Sequence, residues 1–180
     1  MTLRPPSLHD SGPAVINRRF ATGLLLAVTI VGRPAAAGAQ IEVTGATIAE
    51  LQEAMTAGAA TSAEITRAYL ARIEEYDQRG PTLNALVWLN PDAVSQAHAL
   101  DRERAQRGPR GPLHGIPVIL KDNYDTFDMP TSAGTLALAT NIAPDDAFQV
   151  ARLREAGAVI LGKSNMHELA SGITTIGSIG

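Results

Sequence analysis

In GPLHGIPVILKDNYDT, Gly111 to Thr126, a lysine closes an apolar run: Ile116, Val118, Ile119 and Leu120 read as a buried strand, and Lys121 follows at once. An ammonium in apolar surroundings is costly to desolvate unless it is paired or gives up its proton. In open α/β sheets the carboxyl ends of the strands face the ligand crevice, so a strand-end lysine stands where chemistry is done. From the residues alone three uses compete. Lys121 pairs with Asp122 or Asp125 as a structural ion pair, or forms a Schiff base with a carbonyl substrate, or stands desolvated as the base for a hydroxyl nucleophile.

Two other stretches imitate known sites. Gly157-AVIL-Gly162-Lys163-Ser164 matches the phosphate-loop pattern G-x-x-x-x-G-K-[ST] letter for letter. A phosphate loop needs its four middle residues as a loop with a strand before the first glycine. Here Ala158–Leu161 reads as the strand itself, and Gly157 reads as the residue that ends the preceding helix. His167-Glu168-Leu169-Ala170-Ser171 resembles the opening of a zinc-binding H-E-x-x-H helix, but Ser171 stands where the second imidazole is required, so a polar helix start is the expectation.

The elements around these residues follow from periodicity. Thr47 and Thr61, each followed three residues later by glutamate, are capping boxes that open the helices IAELQEAMTAG and AEITRAYLARIEEYD. Gly58 stops the first. Leu83 to Leu89 reads as a strand around Trp88, and Asn90-Pro91-Asp92 starts a third helix reaching about Arg107. After the connector GPRGPLHG come a strand at Ile116–Leu120, a long loop at Asn123–Asn141, a helix AFQVARLREAG capped by Asp145 or Asp146, the strand Ala158–Leu161, and a short helix at MHELASG. A strand, a crossing helix and a second strand make a βαβ unit, so the expected class is α/β, a mixed twisted sheet covered by helices.

Composition narrows the function classes. The 180 residues are 45% hydrophobic and 18% charged, ordinary globular values. Residues 17–40, NRRFATGLLLAVTIVGRPAAAGAQ, have the layout of an export signal: the pair Arg18-Arg19, an apolar run from Phe20 to Val31, and Ala37-Gly38-Ala39 as a small-residue cleavage site. The run is shorter than the roughly 20 residues of a spanning helix. The expectation is a signal peptide at 1–39, with export to the periplasm or outside the cell by the Sec or twin-arginine route. Its removal leaves 11 basic and 17 acidic residues, a net charge of −6. No basic patch then remains that could neutralise a phosphate backbone, so nucleic acid is not an expected partner. With no cysteine, thiol chemistry and cysteine-ligated metals are excluded.

Taken together, LHGIPVILKDN, PTSAGT and AGAVILGKSNMHELA resemble the amidase signature family of Ser-cisSer-Lys hydrolases, over roughly Thr47 to Gly180. The resemblance implies the amidase signature fold, with a helical region at 40–110 and the start of the α/β core at 111–180. It implies that Lys121 is the catalytic base, drawing a proton through one serine to activate a second one that attacks an amide carbonyl. It implies a small-molecule amide as substrate, and no cofactor. Ala170, Ser171 and Gly172 correspond to a segment lining the substrate tunnel in such enzymes, while His167 departs from the acidic residue many members carry there. The family serines are expected beyond Gly180, because Ser132, Ser164, Ser171 and Ser178 lack their context; the chain then reads as an N-terminal fragment, inactive by itself. The alternatives are the glutamine-hydrolysing subunit of a tRNA amidotransferase, a non-catalytic amidase-like module and a Schiff-base lyase. The N-terminal helices offer a packing or homodimer surface.

Overall fold

Two capping boxes start the helical layer. The computed structural model describes residues 41–172 and 176–180, so the export signal expected at 1–39 lies outside the described residues. Helix α1 is Ile48–Thr56 and α2 is Ser62–Arg72. Thr47 Oγ1 accepts the Glu50 amide at 3.2 Å while the Thr47 amide donates to Glu50 at 2.7 Å, and Thr61 and Glu64 repeat the exchange at 3.1 and 2.8 Å. These bonds satisfy amide groups that a helix start leaves without partners.

The expected second helix is shorter than its periodicity. After Arg72 the backbone widens into a π-helical turn, Ile73–Gln78. The Leu83 and Asn84 amides then fold back onto the carbonyls of Tyr76 and Asp77, and the Asp77 carboxylate takes the Ala85 amide. That capture holds 83–85 out of any sheet, and strand β1 is confined to Leu86–Leu89. Helix α3, Ala93–Arg107, runs as its sequence predicts. Its Asp101 carboxylate receives the Ser62 and Ala63 amides at 2.7 and 3.1 Å, tying α3 to the start of α2.

Strand β2 is Pro117–Lys121, helix α4 is Phe148–Glu155 and strand β3 is Val159–Ser164. The sheet order is β1-β3-β2, with β3 parallel to β2 and antiparallel to β1. The β2-α4-β3 unit is therefore the expected βαβ crossover in a mixed sheet. Val159 and Leu161 pack with Ala63, Ala93, Ala97 and Leu100 from α2 and α3. Ile160 and Leu120 pack on the opposite face with Val150 of α4 and Met129 of the long loop. The sheet thus lies between two layers, and β3, buried on both sides, reads as a continuous apolar run.

Three local expectations are corrected. Neither Asp145 nor Asp146 caps α4: the N-cap is Ala147, and Asp146 is drawn instead to Arg154 at 2.8 Å, because that guanidinium bridges Asp146 and Asp128. The short helix expected at MHELASG is one 3-10 turn, Glu168–Ala170, in which Leu169 and Ala170 adopt φ of 51° and 56° and so cannot propagate a helix. Strand β3 does not stop at Leu161 but continues to Ser164.

Gly157 ends α4 as its motif reading requires. Its φ is +85°, its amide donates to Arg154 O at 2.9 Å and the Ala158 amide to Leu153 O at 3.0 Å, the two bonds of a Schellman ending. A Cβ at Gly157 would stand 2.9 Å from the buried His114 ring and 3.1 Å from the His114 Cα. Gly157→Ala therefore combines a left-handed backbone with a collision, and is expected to cost about 2 kcal/mol or more. Urea unfolding of the full-length protein measures it; an unchanged midpoint contradicts the packing.

Candidate functional site

The site is organised by an irregularity in β3. Val118 pairs with Ile160, but Ile119 pairs with Gly162, so Leu161 is one residue extra on the β3 side. In strict alternation Lys163 would share the face of Val159 and Leu161, against α2 and α3. The extra residue re-aims it: Lys163 pairs with Leu120 and turns to the other face, toward the long loop. Gly162 is what allows the neighbouring strand so close, since a Cβ there would be 2.4 Å from Trp88 O.

Lys163 is 0% exposed. Its Nζ donates to Tyr124 O at 2.7 Å, Pro130 O at 2.9 Å and Thr131 Oγ1 at 2.7 Å. The Thr131 hydroxyl spends its own hydrogen on Tyr124 O at 3.2 Å, so it meets Lys163 as an acceptor. Three acceptors call for three N–H groups, which is the ammonium form. Burial lowers the Lys163 pKa below the ordinary lysine value, and the carboxylates of Asp122, Asp125, Asp128 and Asp146 oppose that shift.

Asp122 is the second buried charge, also 0% exposed. Its carboxylate accepts the Ser132 hydroxyl in a short bond and the Ser132 and Gly134 amides at 3.4 and 3.3 Å. The Asp122 amide donates to Ser164 O at 3.2 Å, and Asp122 O accepts the Ala133 amide at 3.2 Å. The loop that leaves β2 is therefore folded back and fastened beside the strand end from which it came. The same loop fastens the chain beyond β3: the Leu169 amide donates to Ala133 O at 2.8 Å, the Ser178 amide to Gly134 O at 3.0 Å, and the Leu136 amide to Ser178 Oγ at 2.9 Å.

Lys121 stands at the C-terminal end of β2, but its side chain is exposed. The expected desolvation is not met among the described residues, because the face it shares with Ile119, itself 46% exposed, carries no covering layer there. Nor does it pair with Asp122 or Asp125: among the described residues Lys121 makes no ion pair within 4.0 Å, and Asp122 is turned inward to the loop. On the same face lies an open cavity of about 520 Å³ bordered by Tyr69, Ile73, Tyr76, Leu83, Ile119 and Leu161.

Ala170, Ser171 and Gly172 come to this region through the Leu169–Ala133–Asp122 bonds and are all exposed. Ser171 Oγ donates to Glu168 O at 2.9 Å and lies 3.2 Å from His167 Nδ1, and Gly172 lies against the His167 ring. Among the described residues no cluster of three His, Cys, Asp or Glu could hold a metal ion. In the sequence Lys163 stands only as the tail of a false phosphate loop; the signal that could have found it is a lysine two residues beyond a run of apolar strand residues.

Known proteins similar to this chain identify its family. The amidase family model matches residues 64–180. This chain belongs to the amidase signature family. Among solved structures it resembles the peptide amidase of Stenotrophomonas maltophilia, with 54% identity and a TM-score of 0.67 over 69% of this chain and 25% of that one. A putative amidase of Schizosaccharomyces pombe is 48% identical over 126 residues, 69% of this chain and 21% of its own length. A glutamyl-tRNA(Gln) amidotransferase subunit of Thermobifida fusca is 42% identical over 71% of this chain and 25% of its own length. The chain spans about a quarter of the length of these relatives.

The buried lysine carries a pH signature. With its folded pKa depressed, Lys163 binds fewer protons in the folded than in the unfolded state between that value and the ordinary lysine value, so its contribution makes stability rise with pH through that window. Lys163→Met in the full-length protein is expected to remove that alkaline gain. Urea midpoints of both forms, at neutral pH and near the lysine range, measure it; equal pH dependence in the two refutes a depressed value.

Proposed function

We propose that the full-length protein hydrolyses a small carboxamide, the amide of a small peptide included, with Lys121 as the proton acceptor of a Ser-cisSer-Lys triad. The observation that carries this reading is the placement of Lys121 at the C-terminal end of a parallel strand, followed directly by a buried aspartate that fastens the next loop. Ser132 is a poor candidate for the nucleophile, since it is buried and its hydroxyl is committed to Asp122. The two serines then come from further sequence of the full-length protein.

The chemistry follows from that assignment. A neutral Lys121 amine takes a proton from the first serine, which takes one from the second as its oxygen bonds to the amide carbon. The oxyanion so formed needs fixed N–H donors, the largest single contribution in most acyl transfers. Collapse breaks the C–N bond, the leaving nitrogen receives the proton, and water releases the acyl group as a carboxylate. Ala170, Ser171 and Gly172 line the entry for the substrate.

Export is part of the same proposal: residues 1–39 direct the chain out of the cytoplasm and are removed. A glutamine-hydrolysing amidotransferase component is the second reading, favoured by the likeness to glutamyl-tRNA(Gln) amidotransferase relatives and disfavoured by an exported, net acidic chain.

Lys121→Ala in the full-length protein is expected to lower kcat for a peptide carboxamide by about 10³-fold, the scale of a lost general base. Wild-type turnover in that variant, or hydrolysis confined to free glutamine, refutes the proposal. Cell fractionation with N-terminal sequencing is expected to find the protein outside the cytoplasm beginning at Gln40; a cytoplasmic chain retaining residue 1 points to the amidotransferase reading.

A further inference from the structure

Lys163 is a cation that the proposed reaction does not use, yet its surroundings are built with more care than those of Lys121. Each of its three N–H groups has a partner within 2.9 Å, and the partners belong to both limbs of the loop after β2: Tyr124 on the outgoing limb, Pro130 and Thr131 on the returning one. A buried ammonium with three committed hydrogen bonds is a rigid fastening, because breaking any one leaves a polar group desolvated without a partner. One residue beyond Thr131 begins the segment 132–134, which grips Asp122 next to Lys121 and accepts the amides of Leu169 and Ser178. Two regions that must meet for catalysis, the strand end bearing Lys121 and the chain that continues past β3, are thus held through one loop, and that loop is held by Lys163.

We propose that Lys163 is a positioning residue for amide hydrolysis: a fixed ammonium that sets where Lys121 stands relative to the chain running on from residue 176. This rests on Lys121 being the base. The two lysines have divided the work by environment. Lys163, fully enclosed and offered only acceptors, keeps its three protons and does no proton transfer. Lys121 stands outside that cage, at the end of β2, and makes no ion pair within 4.0 Å among the described residues.

The test uses the full-length protein and a peptide carboxamide. Lys163→Met keeps the length and removes the charge and all three donors. It is expected to lower kcat about 10²-fold, the scale of an ångström-sized misplacement of a reacting group, with KM within about twofold. Thr131→Val removes one partner of the ammonium without touching Lys163, and an approximately 10-fold loss in kcat is expected for one hydrogen bond to a charged group. If Lys163→Met does not fold, Thr131→Val decides alone. Both are also made in the Lys121→Ala background, where a residue acting through Lys121 costs less than about twofold further on residual turnover. A residue that merely stabilises the fold would cost the same factor in both backgrounds.

Wild-type kcat in the variants, an effect on KM alone, or equal losses in both backgrounds overturns the proposal. Should Lys121→Ala itself keep full activity, the base assignment fails and this inference with it. Should Lys121→Ala be inactive while the Lys163 and Thr131 variants are normal, the positioning role alone fails.

Discussion

A buried ammonium must find acceptors, and most of the geometry around the candidate site follows from how Lys163 finds them. The strand that carries it lies between two largely apolar layers. The acceptors come from the backbone of the loop after β2, which bends over the sheet to supply Tyr124 O and Pro130 O, with the Thr131 hydroxyl as the third. Asp122 imposes the complementary demand, a carboxylate that needs N–H and O–H donors and takes them from Ser132 and Gly134. Two opposite charges, fully enclosed, each satisfied by the same loop, leave that loop little freedom.

The balance between the charges differs from a direct salt bridge. No contact within 4.0 Å joins Lys163 to Asp122 among the described residues, so each charge is stabilised mainly by dipoles held in place by the fold. Fixed dipoles of this kind cost nothing to reorganise when a nearby group changes charge, the property a proton-transferring site needs. The helical layer contributes from a distance: α2 and α3, joined through Asp101, support Val159 and Leu161 and so the register in which β3 meets β2.

Lys121 is set apart by its face. The side of β2 that bears Ile119 and Lys121 is open here, and the adjoining apolar cavity is bordered by Tyr69, Tyr76 and Leu161. The chain spans about a quarter of the length of its relatives. Lys121 stands at the rim of an apolar face, clear of the loop that encloses Lys163.

Much of the architecture was legible in the residues. The capping boxes at Thr47 and Thr61, Gly157 as a helix ending and the βαβ crossover all depend on patterns only a few residues long, which a sequence displays directly. The motif islands around Lys121 were sufficient for the family. What the tertiary structure decided was direction. The π-helical turn after Arg72, the diversion of Asp146 to Arg154 and above all the extra residue at Leu161 depend on how separate segments pack and pair. A single bulge reverses which side of a sheet every later residue faces. That reversal sends Lys163 inward to the loop, and it is set by strand pairing across some forty residues, beyond the reach of any local pattern.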